Sequence, residues 1–457
     1  MKYFCNIFVL LLSLNGFCGG LGYNYDYSQV WTTKMFLSKP DGKGGSNVSI
    51  TFEQALDIIR KADYLTLGVP KIIYLVGWQY NGHDDKYPAF FEVNPALKRS
   101  CDESALESLR WLMKEAKKFN TVVSLHINMT DAYDDSHLWK EYVENDLISK
   151  SKNGNLKVIG EYNGRKAYQI NYKNEWNKGY TQMRIDRLLQ LLPELKDAGT
   201  IHIDAWIARS SEGHNESVIV EADYQKKALK YWKAKGIDVT SEWVMDYMTG
   251  YIPLAWHFNG FFQSDYLTIH ADIYTGVGIN PDIRDSDHDL GFLFGTSSYG
   301  EPFWKMDDEE TWITTMTNDF MLKCPQYFYL NKLKRIAVDG NGKDRVARFD
   351  NNVKVSLADS TVSRSGRIMR HKNTISFPAV WRDDSGIILY TADEEGNITF
   401  DIPFEWGNVT NAAIYKITSS GLQFIKNIKI KGAKFDVNIS KRTPYYVIPG
   451  SKKIMEY

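Results

Sequence analysis

Thr200-Ile-His-Ile-Asp-Ala-Trp206 and Gly236-Ile-Asp-Val-Thr-Ser-Glu-Trp243 decide how this chain is read. Each is an apolar, β-branched run that closes on a carboxylate, Asp204 in the first and Glu242 in the second. The segment between them, Ser217 to Lys235, has the length and patterning of one helix. Strand, helix, strand with an acid at each strand end is how a (β/α)8 barrel assembles a reactive pair, because parallel strands run out into loops on one rim and their last residues converge there. Alternation along Thr200 to Trp206 places Ile201 and Ile203 on one face and His202, Asp204 and Trp206 on the other. A carboxylate in a buried strand is costly unless it serves the barrel mouth.

The same alternation extends outward in both directions. Helices are expected over Thr51 to Leu67, Asp102 to Phe119, Met183 to Asp197 and Ser217 to Lys235. Strands are expected over Lys71 to Trp78, Thr121 to Asn128, Thr200 to Trp206 and Ile237 to Trp243. Runs such as Ile72-Ile73-Tyr74-Leu75-Val76 suit parallel strands buried on both faces. Phe258 to Phe262 and Leu290 to Phe294 are read as later strands, Asp308 to Leu322 as a later helix, and Tyr266 to Pro302 as loops at the barrel top. Beyond Asp339-Gly-Asn-Gly342 the pattern changes to short alternating runs separated by Gly, Asp and Asn, the mark of an antiparallel sandwich. The expected fold class is α/β: a (β/α)8 TIM-type barrel over residues 21–335, then a C-terminal antiparallel β-sandwich domain over 336–457.

A chain of 457 residues has room for a barrel of roughly 250 residues and one further domain. Net charge is −1, and no basic run is dense enough to neutralise a series of phosphates, which argues against nucleic acid as a partner. Residues 1–20 carry one Lys, an apolar stretch and then small residues, as a secretory signal does, and are too short to span a bilayer. Phe17 argues against lipid attachment at Cys18. No later segment is long and apolar enough for a membrane span, so a secreted, periplasmic or cell-surface location is expected. Cys101 and Cys324 remain, enough for one disulfide or two thiols.

Paired carboxylates point to glycoside hydrolysis, in which one acid stays ionised and the other protonates the leaving oxygen. Retaining enzymes hold them about 5–5.5 Å apart and inverting ones about 6.5–9.5 Å. Thirteen Trp and 28 Tyr supply flat faces for sugar rings, although a Trp-rich barrel core explains any single one equally well. Two other strand ends are polar. Lys71 to Trp78 runs into Gly77-Trp-Gln-Tyr-Asn-Gly-His-Asp-Asp-Lys-Tyr-Pro88, and Thr121 to Asn128 ends in His126-Ile-Asn128 before Asp131-Ala-Tyr133. Asp84, His126 and Asn128 suit sugar hydroxyl and N-acetyl groups, whereas Asp85 and Asp131 read as loop caps. A rival reading is a metal-dependent barrel hydrolase, for which His126, His202 with Asp204, His270 with Asp272, and Asp285 to Asp289 supply ligand types. No helical His pair supports it, and no metal or other cofactor is expected. A carbohydrate-binding protein without catalysis is the third reading, and it would require one of the two acids to be unavailable.

Trp78 to Pro88, His126-Ile-Asn128 with Ala132-Tyr133, Ile203-Asp-Ala-Trp206 and Thr240-Ser-Glu-Trp243 resemble the catalytic barrel of the endo-α-N-acetylgalactosaminidases, glycoside hydrolase family 101, and of the related α-N-acetylgalactosaminidases of family 129. The resemblance covers about residues 45 to 330. It implies retaining cleavage of α-linked N-acetylgalactosamine, or of Gal-β1,3-GalNAc, from Ser or Thr of mucin-type O-glycoproteins. Asp204 would be the nucleophile and Glu242 the acid/base, with Asp84, His126 and Asn128 holding the sugar. Trp78, His83, Tyr133, Trp206 and Trp243, within or beside the same motifs, complete the candidate substrate-binding set.

Overall fold

The computed structural model describes residues 22–248, 250–253, 255–258, 298–299, 304, 308–340 and 344–450. Seven parallel strands form one sheet. In chain order they are β1 (Trp31–Phe36), β2 (Lys71–Val76), β3 (Thr121–Asn128), β6 (Thr200–Asp204), β7 (Asp238–Val244), β8 (Ala255–Phe258) and β9 (Ser298–Tyr299); β4 (Val158–Tyr162) and β5 (Arg165–Gln169) form a hairpin outside the sheet. The sheet order is β8-β7-β6-β3-β2-β1-β9. Helices α1 (Phe52–Leu65), α2 (Ala105–Ala116), α3 (Tyr180–Leu191), α4 (Glu194–Ala198) and α5 (Val218–Ala234) connect the strands.

Strand alternation sorts the residues into two environments. Ile73, Leu75, Val123, Leu125, Ile127, Ile201, Ile203 and Val239 pack outward in one core with Ile58 and Ile59 of α1, Leu109 and Leu112 of α2, and Ile185 and Leu188 of α3. On the other face Ile72, Tyr74 and Val122 close the floor with Tyr27 and Val30. Above that floor the concave face is polar. The Tyr74 hydroxyl lies 2.7 Å from Thr200 Oγ1 and His202 Nδ1 lies 3.0 Å from Thr240 Oγ1. Tyr74 and Thr200 belong to strands separated by β3, and Lys34 of β1 reaches Asp204 of β6 across two intervening strands, with Nζ 3.5 Å from Oδ1. In a flat sheet β1 and β6 would stand about 14 Å apart, so these contacts require the sheet to curl into a trough.

Boundaries differ from expectation for local reasons. The helix read over Met183 to Asp197 is two helices, because Pro193 lacks the N–H that would continue the first. The later helix, α6, runs from Glu309 to Leu330 and carries Pro325 inside it. Phe258 to Phe262, Leu290 to Phe294 and the leader lie wholly or largely outside the described residues. Cys101 is exposed, Cys324 is buried, and both are free thiols.

The C-terminal part is a ten-stranded antiparallel sheet running from Arg335–Asp339 to Tyr445–Pro449, plus the two-stranded ribbon Gly396–Asp401 with Lys434–Ile439. Phe400, Phe435 and Val437 of the ribbon cover Leu389, Ile414 and Val447 on one face of the large sheet. The opposite face, through Phe377, Ile388, Tyr415 and Tyr446, joins the core of the parallel layer. The expected sandwich is therefore unequal: a small ribbon covers one side and the first domain covers the other. Trp381 adds a hydrogen bond from its indole to the Leu67 carbonyl at 3.2 Å.

Arg184 of α3 is a fully buried cation that ties two strand-end loops together. It pairs with Glu175 at 2.7 Å and donates to the carbonyls of Pro88 at 2.9 Å and Asn128 at 3.1 Å. Arg184→Ala leaves Glu175 buried without its cation and should lower the unfolding free energy by about 3–5 kcal/mol. Urea denaturation measures this, and a loss under about 1 kcal/mol would mean that water or other donors replace the guanidinium.

Candidate active site

Asp204 is the last residue of β6, and Glu242 on β7 lies one position beyond the Ser241–Ile203 pair, so both side chains emerge at the same end of the sheet on its concave side. The chain leaves β6 by a sharp turn at Ala205, whose φ of 44° is left-handed, a conformation costing a non-glycine residue about 1–2 kcal/mol. The turn aims the Ala205 N–H at Glu242, to which it donates at 3.2 Å. The residue after one acid therefore holds the other.

The two acids are driven in opposite directions. Burial disfavours the Asp204 anion, but His126, Lys34 and His83 outweigh it and bring the carboxyl from 3.8 to about 2. His126 Nε2 lies 3.6 Å from Asp204 Oδ2 and Lys34 Nζ 3.5 Å from Oδ1. Burial also pushes His126 well below its ordinary value. At neutral pH the standing cation beside Asp204 is thus the Lys34 ammonium. Glu242 is raised to about 7, by burial first and by the Asp204 charge second, while Lys34, the Ala205 N–H and a hydrogen bond with the Trp243 side chain pull the other way. One carboxylate is ionised and its neighbour retains a proton near neutrality.

His83 and Asp84 lie on the loop after β2, with His83 Nε2 3.3 Å from Asp84 Oδ2. The rings of His83, His126 and His202 follow one another at centroid spacings of 5.3 Å. His83, Asp84, Asp204, Glu242 and Trp243 keep partial exposure, whereas His126 is buried beneath them. Besides His126, four more of the expected sugar contacts are buried. Trp78, Tyr133 and Trp206 are buried at 0–1% exposure, with the Trp78 indole donating to the His126 carbonyl at 2.9 Å. Asn128 is equally buried and turns the chain: its Oδ1 accepts from the N–H groups of Thr130 and Asp131, and its Nδ2 donates to Asp131. These four support the site from behind. Asp85 caps the N–H of Asn81 and pairs with Arg165 at 2.8 Å, as a loop residue does. Asp131 is raised to about 7 by burial and by the charges of Asp84 and Asp204. Lys34 escaped the sequence reading, although a lysine between Thr33 and Met35 in a strand-like run, Trp31 to Phe36, is the kind of signal that marks it.

His126, His202 and Asp204 offer ligand-type atoms within 4.8 Å of one another. The Lys34 ammonium already lies against the same carboxylate and would repel a second cation, and His202 Nδ1 is engaged by Thr240. His270, Asp272 and residues 285–289 lie outside the described residues.

Residues 43–257 match the sequence profile of the endo-alpha-N-acetylgalactosaminidases. The matched segment resembles glycoside hydrolase family 101 and includes both Asp204 and Glu242. Among solved structures, the chain is similar to an alpha-N-acetylgalactosaminidase from Bifidobacterium bifidum. Its quadruple mutant aligns at 12% identity and a TM-score of 0.52, over 74% of this chain and 57% of that one. Its GalNAc complex aligns at 11% identity and a TM-score of 0.52, with the same coverage. At such identities the likeness is one of fold, and the chain spans 57% of the length of those structures.

The charge arrangement yields a direct test. Lys34→Met removes the cation that stabilises the Asp204 anion and also depresses Glu242, so both carboxyl pKa values should rise. The other groups facing Asp204 are His83, Asp84, His126, Asp131 and Glu242. In a carboxyl-detected NMR titration, with Asp204→Asn used for assignment, the Asp204 signal should move upward by about one pH unit or more. An unmoved signal would show that the histidines alone hold the charge.

Proposed function

We propose that the protein is a secreted, retaining glycoside hydrolase that cleaves α-linked N-acetylgalactosamine, alone or as Gal-β1,3-GalNAc, from Ser or Thr of mucin-type O-glycoproteins. The observation that carries this reading is the in-register placement of Asp204 and Glu242 at one end of neighbouring strands, with the Lys34 ammonium 3.5 Å from Asp204 and the Ala205 N–H on Glu242, an arrangement that lowers the first carboxyl and leaves the second raised. A nucleophile must be ionised, and a leaving-group acid must hold its proton at working pH. The family 101 match over residues 43–257 supports the sugar assignment. The leader-like first residues support secretion. In this reading residues 21–335 form the catalytic unit and 336–457 the accessory domain. In this reading the seven-stranded sheet belongs to a (β/α)8 barrel, and His83, Asp84 and Trp243 meet the sugar.

In the first step Asp204 attacks the anomeric carbon while Glu242 gives its proton to the departing Ser or Thr oxygen. The glycosyl ester then yields to a water deprotonated by Glu242, which restores the α configuration. Asp204→Asn should reduce turnover about a thousandfold or more with the fold intact. Glu242→Ala should cripple natural glycosides yet spare the first step on a dinitrophenyl glycoside, and added azide should give the α-azide. A β-azide would mean an inverting pair, and equal losses on activated and natural substrates would remove Glu242 from the acid role.

A metal-dependent hydrolase makes the opposite forecast on chelation. With Lys34 as the resident cation, activity should survive exhaustive EDTA treatment. Complete loss reversed by zinc or manganese would transfer the reaction to the His126, His202 and Asp204 cluster.

A further inference from the structure

The β4–β5 hairpin is absent from the mechanism above, yet it is fastened to the loop that carries His83 and Asp84. Its two-residue turn, Asn163 and Gly164, has φ values of 51° and 73°, the left-handed pair that a tight hairpin favours. From the tip, the Asn163 amide donates to the His83 carbonyl at 3.0 Å. Arg165 donates to the Asp84 carbonyl at 2.6 Å and pairs with Asp85 at 2.8 Å and Asp135 at 2.6 Å. The tip is therefore fixed on the rim of the site.

Tyr162 stands at this tip with 43% of its surface exposed. Its ring lies across Gly160, where a Cβ would come within 2.9 Å of the ring carbons, so the glycine forms a bed for one edge or face of the tyrosine. The hydroxyl is raised above its ordinary value by partial burial and then by Asp131, Asp84 and Asp204, with Arg209 acting the other way. Of the aromatic residues singled out from sequence, Trp78, Tyr133 and Trp206 are buried and Trp243 is partly exposed, whereas Tyr162 presents open ring surface at the rim. A held aromatic ring beside charged hydrogen-bonding groups is the usual composition of a sugar subsite, the ring meeting C–H groups and the charges meeting hydroxyls.

We propose that Tyr162 is the stacking platform of a second sugar subsite, holding the ring joined to the residue that sits over Asp204 and Glu242. The inference rests on the glycosidase reading. It assigns substrates longer than one sugar to this rim, so the hairpin contributes to selection between a single N-acetylgalactosamine and a disaccharide.

The test uses the full chain with p-nitrophenyl α-glycosides of N-acetylgalactosamine and of Gal-β1,3-GalNAc, and reads the ratio of kcat/KM for the disaccharide to that for the monosaccharide. Tyr162→Ala should lower the ratio about tenfold, the size of one aromatic packing contact. Tyr162→Phe keeps the ring and should hold the ratio near wild type. Circular dichroism melting curves confirm that both variants are folded. An unchanged ratio in Tyr162→Ala, or an equal fall in Tyr162→Phe, overturns the platform. A loss confined to glycopeptide substrates also overturns it, by giving the ring to the peptide. Wild-type protein that hydrolyses neither glycoside rejects the glycosidase reading itself, and the subsite falls with it.

Discussion

A lysine buried in the middle of a parallel sheet has to find an anion, and Lys34 finds Asp204 two strands beyond its own neighbour. Leaving either charge alone in the trough would cost several kcal/mol. The pair forms only if the sheet curls, so the electrostatic requirement and the curvature support each other. At 3.5 Å and an effective dielectric near 20, two unit charges attract by roughly 5 kcal/mol. Burial works against the Asp204 anion, and His126, Lys34 and His83 together outweigh it, so the carboxyl lies below its ordinary value.

That outcome determines the state of the second acid. Once Asp204 is held ionised, its charge joins desolvation in raising Glu242, whose carboxyl receives the Ala205 N–H and a hydrogen bond with Trp243 as compensation among the described residues. Asymmetry within the pair therefore has several sources: His126 on β3, Lys34 on β1 and His83 on the loop after β2 act on Asp204, and burial acts on Glu242. The buried imidazoles of His126 and His202 fill the space beneath, and burial pushes His126 well below its ordinary value.

The elements legible from sequence were those whose local chemistry and tertiary role agree. Thr121 to Asn128 was read to the residue, and Ser217 caps α5 where the reading began that helix. Asp204 and Glu242 were legible because a carboxylate closing an apolar strand has few structural uses. Lys34 was not, since Trp31-Thr-Thr-Lys-Met-Phe36 shows no clean alternation and the partners of its lysine lie across the trough. The hairpin carrying Tyr162 also passed unread, because Asn163-Gly164 is a turn signal flanked by charged residues rather than by apolar alternation. Pairing across the curled sheet is non-local, and no window of sequence contains it.

Aromatic load proved the least transferable clue, and the reason lies at the strand ends. Where parallel strands leave the ladder their carbonyls lose regular partners, and buried carbonyls must be satisfied. In this protein side chains do so one by one: Trp78 takes the His126 carbonyl, Arg184 that of Asn128, Ser241 that of Ile203, Thr130 that of Ala205 and Gln225 that of Trp206. Each donor is buried and each acceptor lies at the end of β3 or β6 or in the turn that follows. The Trp78 indole is used here for its N–H, not for its face. By fixing the backbone from which His126 and Asp204 project, these donors set the site's geometry without any open surface to offer a sugar, and stacking then belongs to rings carried by rim loops.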